Sequence, residues 1–261
     1  MTIFDVSHPA LDAEISPADH AHQDRSRLRR ASRSSSPMRD VLGHYRAYRA
    51  AFPTAAISCA GQALWQPEVA AGVKKRGYSV DVHSCDELDV AVSAGIPVSR
   101  IVVHDDGITA APIRRAVGAG VGGLVLRCCQ QVGVVSACGG RPPLILVDIS
   151  ADCADATIAA VLGRPQLNLI GLQARLSSGA HRWACAETVT EVIALMAHVR
   201  REHGVILARV SLVGGEVMAD CAATTSVLRE LANELDDAFD DACARYRFPR
   251  PALMLAPRYW P

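Results

Sequence analysis

The chain has 261 residues, 50 % of them hydrophobic and 21 % charged, with a formal net charge of zero. That is the composition of a soluble globular protein, long enough for one α/β barrel of about 250 residues. Balanced charge gives no long-range attraction to nucleic acid or to an anionic membrane, and no apolar stretch nears the ~20 residues of a membrane span.

Residues 1–37 are rich in Ser, Asp, Ala, His and Arg and have no apolar period. They read as a disordered tail, basic between Arg25 and Arg33. The first residues lack a basic segment followed by an apolar one, so no signal peptide is expected. Nine cysteines without repeated spacing point to reduced thiols in a cytoplasm. Cys128 and Cys129, adjacent in sequence, read as small core-filling residues. No Cys-x-x-Cys pair and no His-Glu-x-x-His helix occurs, so no metal is expected.

A helix is predicted over 39–51, where Val41, Leu42, Tyr45, Tyr48 and Phe52 follow helical spacing. Short apolar runs then alternate with helical ones. A strand at 54–58 precedes a helix at 66–76, with Pro67 suited to its first turn and Gly77 to its C-terminal cap. Strands at 79–83 and 100–104 precede helices at 86–94 and 110–119. A strand at 123–126 precedes a weaker helical segment at 128–136. Strands at 144–149, 167–172 and 206–212 precede helices at 154–162, 186–202 and 222–246, and a last strand covers 252–255.

Most of these eight strands are continuously apolar, as buried parallel strands are. Eight strand–helix units predict a closed (β/α)8 TIM-like barrel over 38–261, with a doubly wound open sheet as the alternative. Only 256–261 follow the eighth strand, so no second domain is expected.

The segment 78–101 carries the most specific motif. A strand with Asp81 is followed by Ser84, then by Glu87 and Leu88 opening a helix. A turn with Gly95 and Pro97 leads to Arg100 and Ile101. This pattern resembles the barrel domain of the pyridoxal-phosphate (PLP) dependent diaminopimelate and ornithine decarboxylase family. Weaker similarity runs from about 39 to 257. The β domain with which that family completes its site across a dimer has no counterpart here.

The resemblance implies a PLP-binding barrel and also marks what has changed. Where the family reads Tyr-Ala-x-Lys, this chain reads Ala56-Ile57-Ser58-Cys59, which puts Cys59 at the position of the imine-forming lysine. A neutral amine attacks the cofactor aldehyde and is regenerated; a thiol cannot form that imine. Lys74 and Lys75, on the next helix and outside the barrel, are poor substitutes. Arg175 replaces the histidine that stacks on the pyridine ring, a role a guanidinium can also fill. Ser178 matches a phosphate-binding serine. The family's triple-glycine phosphate turn reads Val213-Gly214-Gly215-Glu216. Glycines let bare N–H groups reach a phosphate, while a carboxylate ~4 Å from it would repel by ~4 kcal/mol at an effective dielectric of 20. Ala256 stands where the family has the glutamate that protonates the pyridine nitrogen, Tyr259 where it has an arginine, and Asp148 near an expected arginine.

Ser178, Gly214, Gly215, Asp81 and Glu87 are therefore the residual cofactor- or anion-binding candidates. For Asp81 the other reading is a buried polar residue bonded to backbone, and for Glu87 a first-turn helix residue. Cys59, His83, His104 and Asp148 fall near strand ends, where barrel sites lie; they read as leftover polar positions rather than as a thiol–imidazole pair or a metal site. The expected protein is a decarboxylase-like barrel without decarboxylase activity. It would bind a small anion or a partner, either itself as a dimer or an active homologous decarboxylase, with no resident cofactor. The alternatives are an enzyme that still binds PLP without an imine lysine or acts on an amino-acid-like ligand, and a chain with no retained role.

Overall fold

The computed structural model describes residues 37–104, 110–140, 143–176, 182–214 and 225–257, the side chains of 37–40 and 182–184 excepted. Apart from Pro37, the expected tail lies outside the described residues. The barrel opens with helix α1 (Pro37–Ala51). Seven strand–helix units and a last strand follow: β1 (Ala56–Ala60), α2 (Pro67–Arg76), β2 (Ser79–Val82), α3 (Cys85–Ser93), β3 (Ile101–His104), α4 (Ala110–Ala119), β4 (Gly123–Leu126), α5 (Cys129–Ala137), β5 (Leu144–Asp148), α6 (Ala154–Leu162), β6 (Asn168–Leu176), α7 (Arg182–His203), β7 (Arg209–Gly214), α8 (Thr225–Tyr246) and β8 (Ala252–Ala256).

Each strand pairs in parallel with its neighbours in chain order, and β1 pairs with β8, so the sheet closes into a barrel. The open-sheet alternative is excluded by that β1–β8 pairing. The helix ends follow local rules. Pro67 occupies the first turn of α2, and Gly77 closes it at a left-handed φ of 74°.

Strand parity divides the buried residues into two cores. Ile57, Cys59, Val80, Val82, Ile101, Val103, Leu124, Leu126, Leu172 and Leu212 face outward into the large shell packed against the helices. Val102, Val125, Leu146 and Met254, with Ile170 against them, form a separate small cluster filling the interior. Toward the C-terminal strand ends the interior turns polar. Ser58, Asp81, His104, Asp148, Gln173 and Ser211 are all buried there.

Three expectations need correction. β1 runs two residues later than 54–58, which moves Cys59 into the strand. β6 extends four residues beyond 172, so Gln173 and Arg175 are strand residues. Ile206, expected to open β7, is 57 % exposed, and the strand starts at Arg209.

Candidate functional site

The mouth at the C-terminal strand ends is built from two polar clusters. The first spans β1–β3. Ser58 Oγ donates to Asp81 Oδ1 at 2.6 Å, and His104 Nε2 stands 3.5 Å from the same oxygen. The His83 and His104 rings stack with centroids 4.7 Å apart. The phenol of Tyr45 on α1 accepts from Ala60 N at 3.1 Å, which fixes the end of β1.

The second cluster spans β4–β6. Asp148, fully buried at the end of β5, lies between two guanidiniums. Arg127 Nε and Arg175 Nη2 stand 3.5 and 3.6 Å from its Oδ2, while Oδ1 accepts from Ser150 N at 3.0 Å. A buried carboxylate needs such partners to stay charged. Below Arg175 on the same strand face, Gln173 is fully buried, with Ser211 Oγ 3.5 Å from its Oε1. Its Nε2 makes no hydrogen bond among the described residues.

A cavity of about 60 Å³ lies between the clusters, with Ser58, Asp81, His83, His104, Arg175 and Gly214 among its walls. It is much smaller than the ~300 Å³ at which clefts for drug-sized ligands begin. Gly214 ends β7 at φ 83°, and a Cβ there would lie 3.1 Å from the Leu176 carbonyl oxygen. The turn therefore requires glycine.

The structure sorts the expected residues. Asp81 faces the interior and is bonded to side chains rather than to backbone. Glu87 does not line the cavity: its Oε2 accepts from His83 N at 2.9 Å while Glu87 N donates to Ser84 Oγ at 3.2 Å. Ser84 thus caps α3 while the Glu87 carboxylate binds the backbone just ahead of the cap, so it serves the helix end. Cys59 faces the helix layer, is fully buried, and points away from the cavity. Burial, with Asp81 adding to it, holds its thiol well above the usual cysteine range. The β1 residues that line the cavity are Ser58 and Ala60, so the position matched to the family's lysine does not face it here. His83 and His104 line the cavity, and Asp148 is buried at the end of β5. Cys128 and Cys129 are not core residues: Cys128 caps α5 and Cys129 is exposed. Ser178, Gly215, Glu216 and Tyr259 lie outside the described residues.

Sequence reasoning missed Ser58, Arg127 and Gln173. A usable signal existed for Gln173, which alternates with the apolar Leu172, Ala174 and Leu176 as a period-2 strand does.

The pattern of a pyridoxal-dependent decarboxylase, pyridoxal binding domain, matches residues 38–157. Diaminopimelate decarboxylase from Actinosynnema pretiosum is 28 % identical over 245 residues, covering 83 % of this chain and 55 % of that protein. Over 38–157 the chain is similar to the pyridoxal-dependent decarboxylases. Its match is to the family's barrel domain, and it spans about half the length of the curated relatives it matches. The corresponding enzyme of Corynebacterium efficiens is 26 % identical, covering 77 % of this chain and 50 % of that protein. Among solved family structures, diaminopimelate decarboxylase from M. jannaschii with L-lysine superposes with a TM-score of 0.70 at 16 % identity, covering 83 % of this chain and 58 % of that one. Lysine/ornithine decarboxylase from Vibrio vulnificus with cadaverine gives 0.69 at 16 %, covering 93 % and 68 %. At that identity the likeness is one of fold.

Proposed function

We propose that this chain is a ligand-binding barrel of the decarboxylase family that performs no imine-based decarboxylation. The observation that carries this reading is the placement of lysine. The sequence contains only Lys74 and Lys75. Both lie in the last turn of α2, exposed on the helix layer. Neither lysine therefore lines the cavity, whichever position is matched to the family's lysine.

The remaining walls agree. Ala256 lines the cavity where the family resemblance calls for a glutamate, and it cannot hold a proton on a pyridine nitrogen. Val213 adds bulk ahead of Gly214. The residues present do not fit a covalently held pyridoxal phosphate, and no reaction step is assigned to one. A small anion suits the cavity better, with Arg175 in its wall. A second copy of the chain or a homologous decarboxylase is the partner that would cover the mouth. The eight cysteines among the described residues are free thiols, which suits a reducing compartment such as the cytoplasm.

A second reading, an enzyme that holds PLP without an imine or takes an amino-acid-like substrate, draws on the turn at Gly214 and on a guanidinium able to stack on a ring. An absorbance scan of purified protein with added PLP separates the two. The proposal expects no borohydride-reducible imine band in a Lys74→Arg/Lys75→Arg variant, which lacks the exposed lysine amines, and no CO2 release from diaminopimelate, ornithine or lysine. Either signal would refute it.

A further inference from the structure

We propose that Asp81 makes the cavity selective for a small anion that brings its own hydrogen-bond donor, a 2-hydroxycarboxylate; this rests on the reading that the cavity takes an anion. Asp81, Ser58 and His104 all line that cavity. The Asp81 side chain is 6 % exposed, so its carboxylate meets the cavity rather than bulk water. Ser58 Oγ donates to Oδ1 at 2.6 Å, and His104 Nε2 approaches the same oxygen. Both contacts fall on one oxygen, which fixes the carboxylate and leaves Oδ2 to accept from a ligand. The His104 side chain is 5 % exposed. Its Nε2 makes no hydrogen bond among the described residues, and at 3.5 Å from Oδ1 it lies beyond a good N–H···O bond. The nearby carboxylate favours the tautomer with its proton on Nε2. A buried donor of this kind seldom stays unpartnered unless a water or ligand joins it. The stacked ring of His83 holds the imidazole in place.

An acceptor and a donor therefore stand side by side in the cavity wall. An anion made only of acceptors, such as acetate, would set its charge against the Asp81 carboxylate with no proton between them. An anion with a hydroxyl donates to that carboxylate in a charge-assisted bond, so the contact attracts instead. In a 2-hydroxycarboxylate the hydroxyl lies beside a carboxylate oxygen. That places a donor next to an acceptor, the complement of Asp81 next to His104 Nε2. A cavity of about 60 Å³ holds roughly four to six water-sized atoms, the size of glycolate. Glycine, a zwitterion of the same size, brings a donor but no net charge and serves as the control.

Titration calorimetry of the full chain with glycolate, acetate and glycine, at matched pH and ionic strength, tests the site. Saturable glycolate binding is expected, tighter than glycine binding and about tenfold tighter than acetate binding, as one charge-assisted hydrogen bond gives. Asp81→Asn puts an amide N–H in place of the charge. Acetate should bind that variant more tightly, and the preference for glycolate should fall below about twofold. His104→Leu removes the Nε2 donor and should weaken glycolate roughly fivefold. Circular dichroism confirms that each variant is folded. If Asp81→Asn does not fold, the comparison of glycolate with acetate on the native chain carries the test together with His104→Leu. Acetate bound as tightly as glycolate, an unchanged preference in folded Asp81→Asn, or an unchanged glycolate affinity in folded His104→Leu overturns the inference and leaves the anion reading standing. Glycine bound as tightly as glycolate, or no binding of any of the three, overturns the anion reading as well, so the two failures are distinguishable.

Discussion

Ser58 and Asp81, on neighbouring strands β1 and β2, share a 2.6 Å hydrogen bond inside the barrel. Ser58 is fully buried and Asp81 only 4 % exposed. The Asp81 carboxylate thus depends on protein donors rather than on water. Ser58→Ala removes a donor without supplying another, leaving His104 Nε2 3.5 Å from the carboxylate. Loss of a bond to a buried charged group costs about 1–3 kcal/mol. Urea denaturation of Ser58→Ala should show a loss in that range. A change below about 0.5 kcal/mol, the size of a neutral surface substitution, would mean that the bond does not matter.

Strand parity predicts where a lysine would and would not matter. Cys59 faces the helix shell, whereas Ala60 faces the cavity. Cys59→Lys should bury an ammonium in an apolar layer, destabilise the fold and give no reducible adduct at residue 59 with glyoxylate, a small aldehyde. Ala60→Lys should give a borohydride-reducible adduct at residue 60 when glyoxylate is added, because the small cavity admits it. The reverse result, an adduct at 59 and none at 60, would overturn the assigned orientation of β1.

Burial raises the thiol pKa of Cys59 well above the ordinary cysteine value of 9.0. The sign follows from linkage: the folded state keeps this proton where the unfolded chain loses it, so stability is full below pH 9 and falls as pH rises beyond it. The slope for one such group is about 1.4 kcal/mol per pH unit. Urea midpoints of the native chain should fall between pH 9 and 10, and Cys59→Ala should flatten that fall. In native buffer at pH 7 the Cys59 thiol should resist alkylation and become reactive on unfolding. Equal slopes in both proteins would show that Cys59 does not report burial.

Much of the barrel was legible because its strands are short apolar runs bounded by glycine and its helices end where glycine permits. β4 and α4 fall on their predicted bounds for this reason. β1 did not, because Ala55-Ala56-Ile57-Ser58-Cys59-Ala60 consists of small residues with no alternation to fix its register or its faces. The site was harder to read for a related reason. Ser58 with Asp81, and Asp148 with Arg127 and Arg175, meet across strands, and such pairs become visible only once register is known. The predicted β6 stops at 172 because a barrel mouth places polar side chains, here Gln173 and Arg175, where an ordinary parallel strand is apolar.

Gly214 joins the fold to the site. It closes β7 at φ 83°, where an L side chain is strained by roughly 1–2 kcal/mol. An added Cβ would also lie 3.1 Å from the carbonyl oxygen of Leu176 on β6. Because Gly214 and Arg175 line the same cavity, relieving that contact must shift β6 or β7 beside the guanidinium. Gly214→Ala should therefore lower stability by about 1–3 kcal/mol and weaken anion binding together. Thermal unfolding and glycolate titration of the same variant check both effects. A variant of native stability would show that the turn tolerates a side chain. Lost stability with unchanged anion affinity would show that strain at the end of β7 does not reach Arg175.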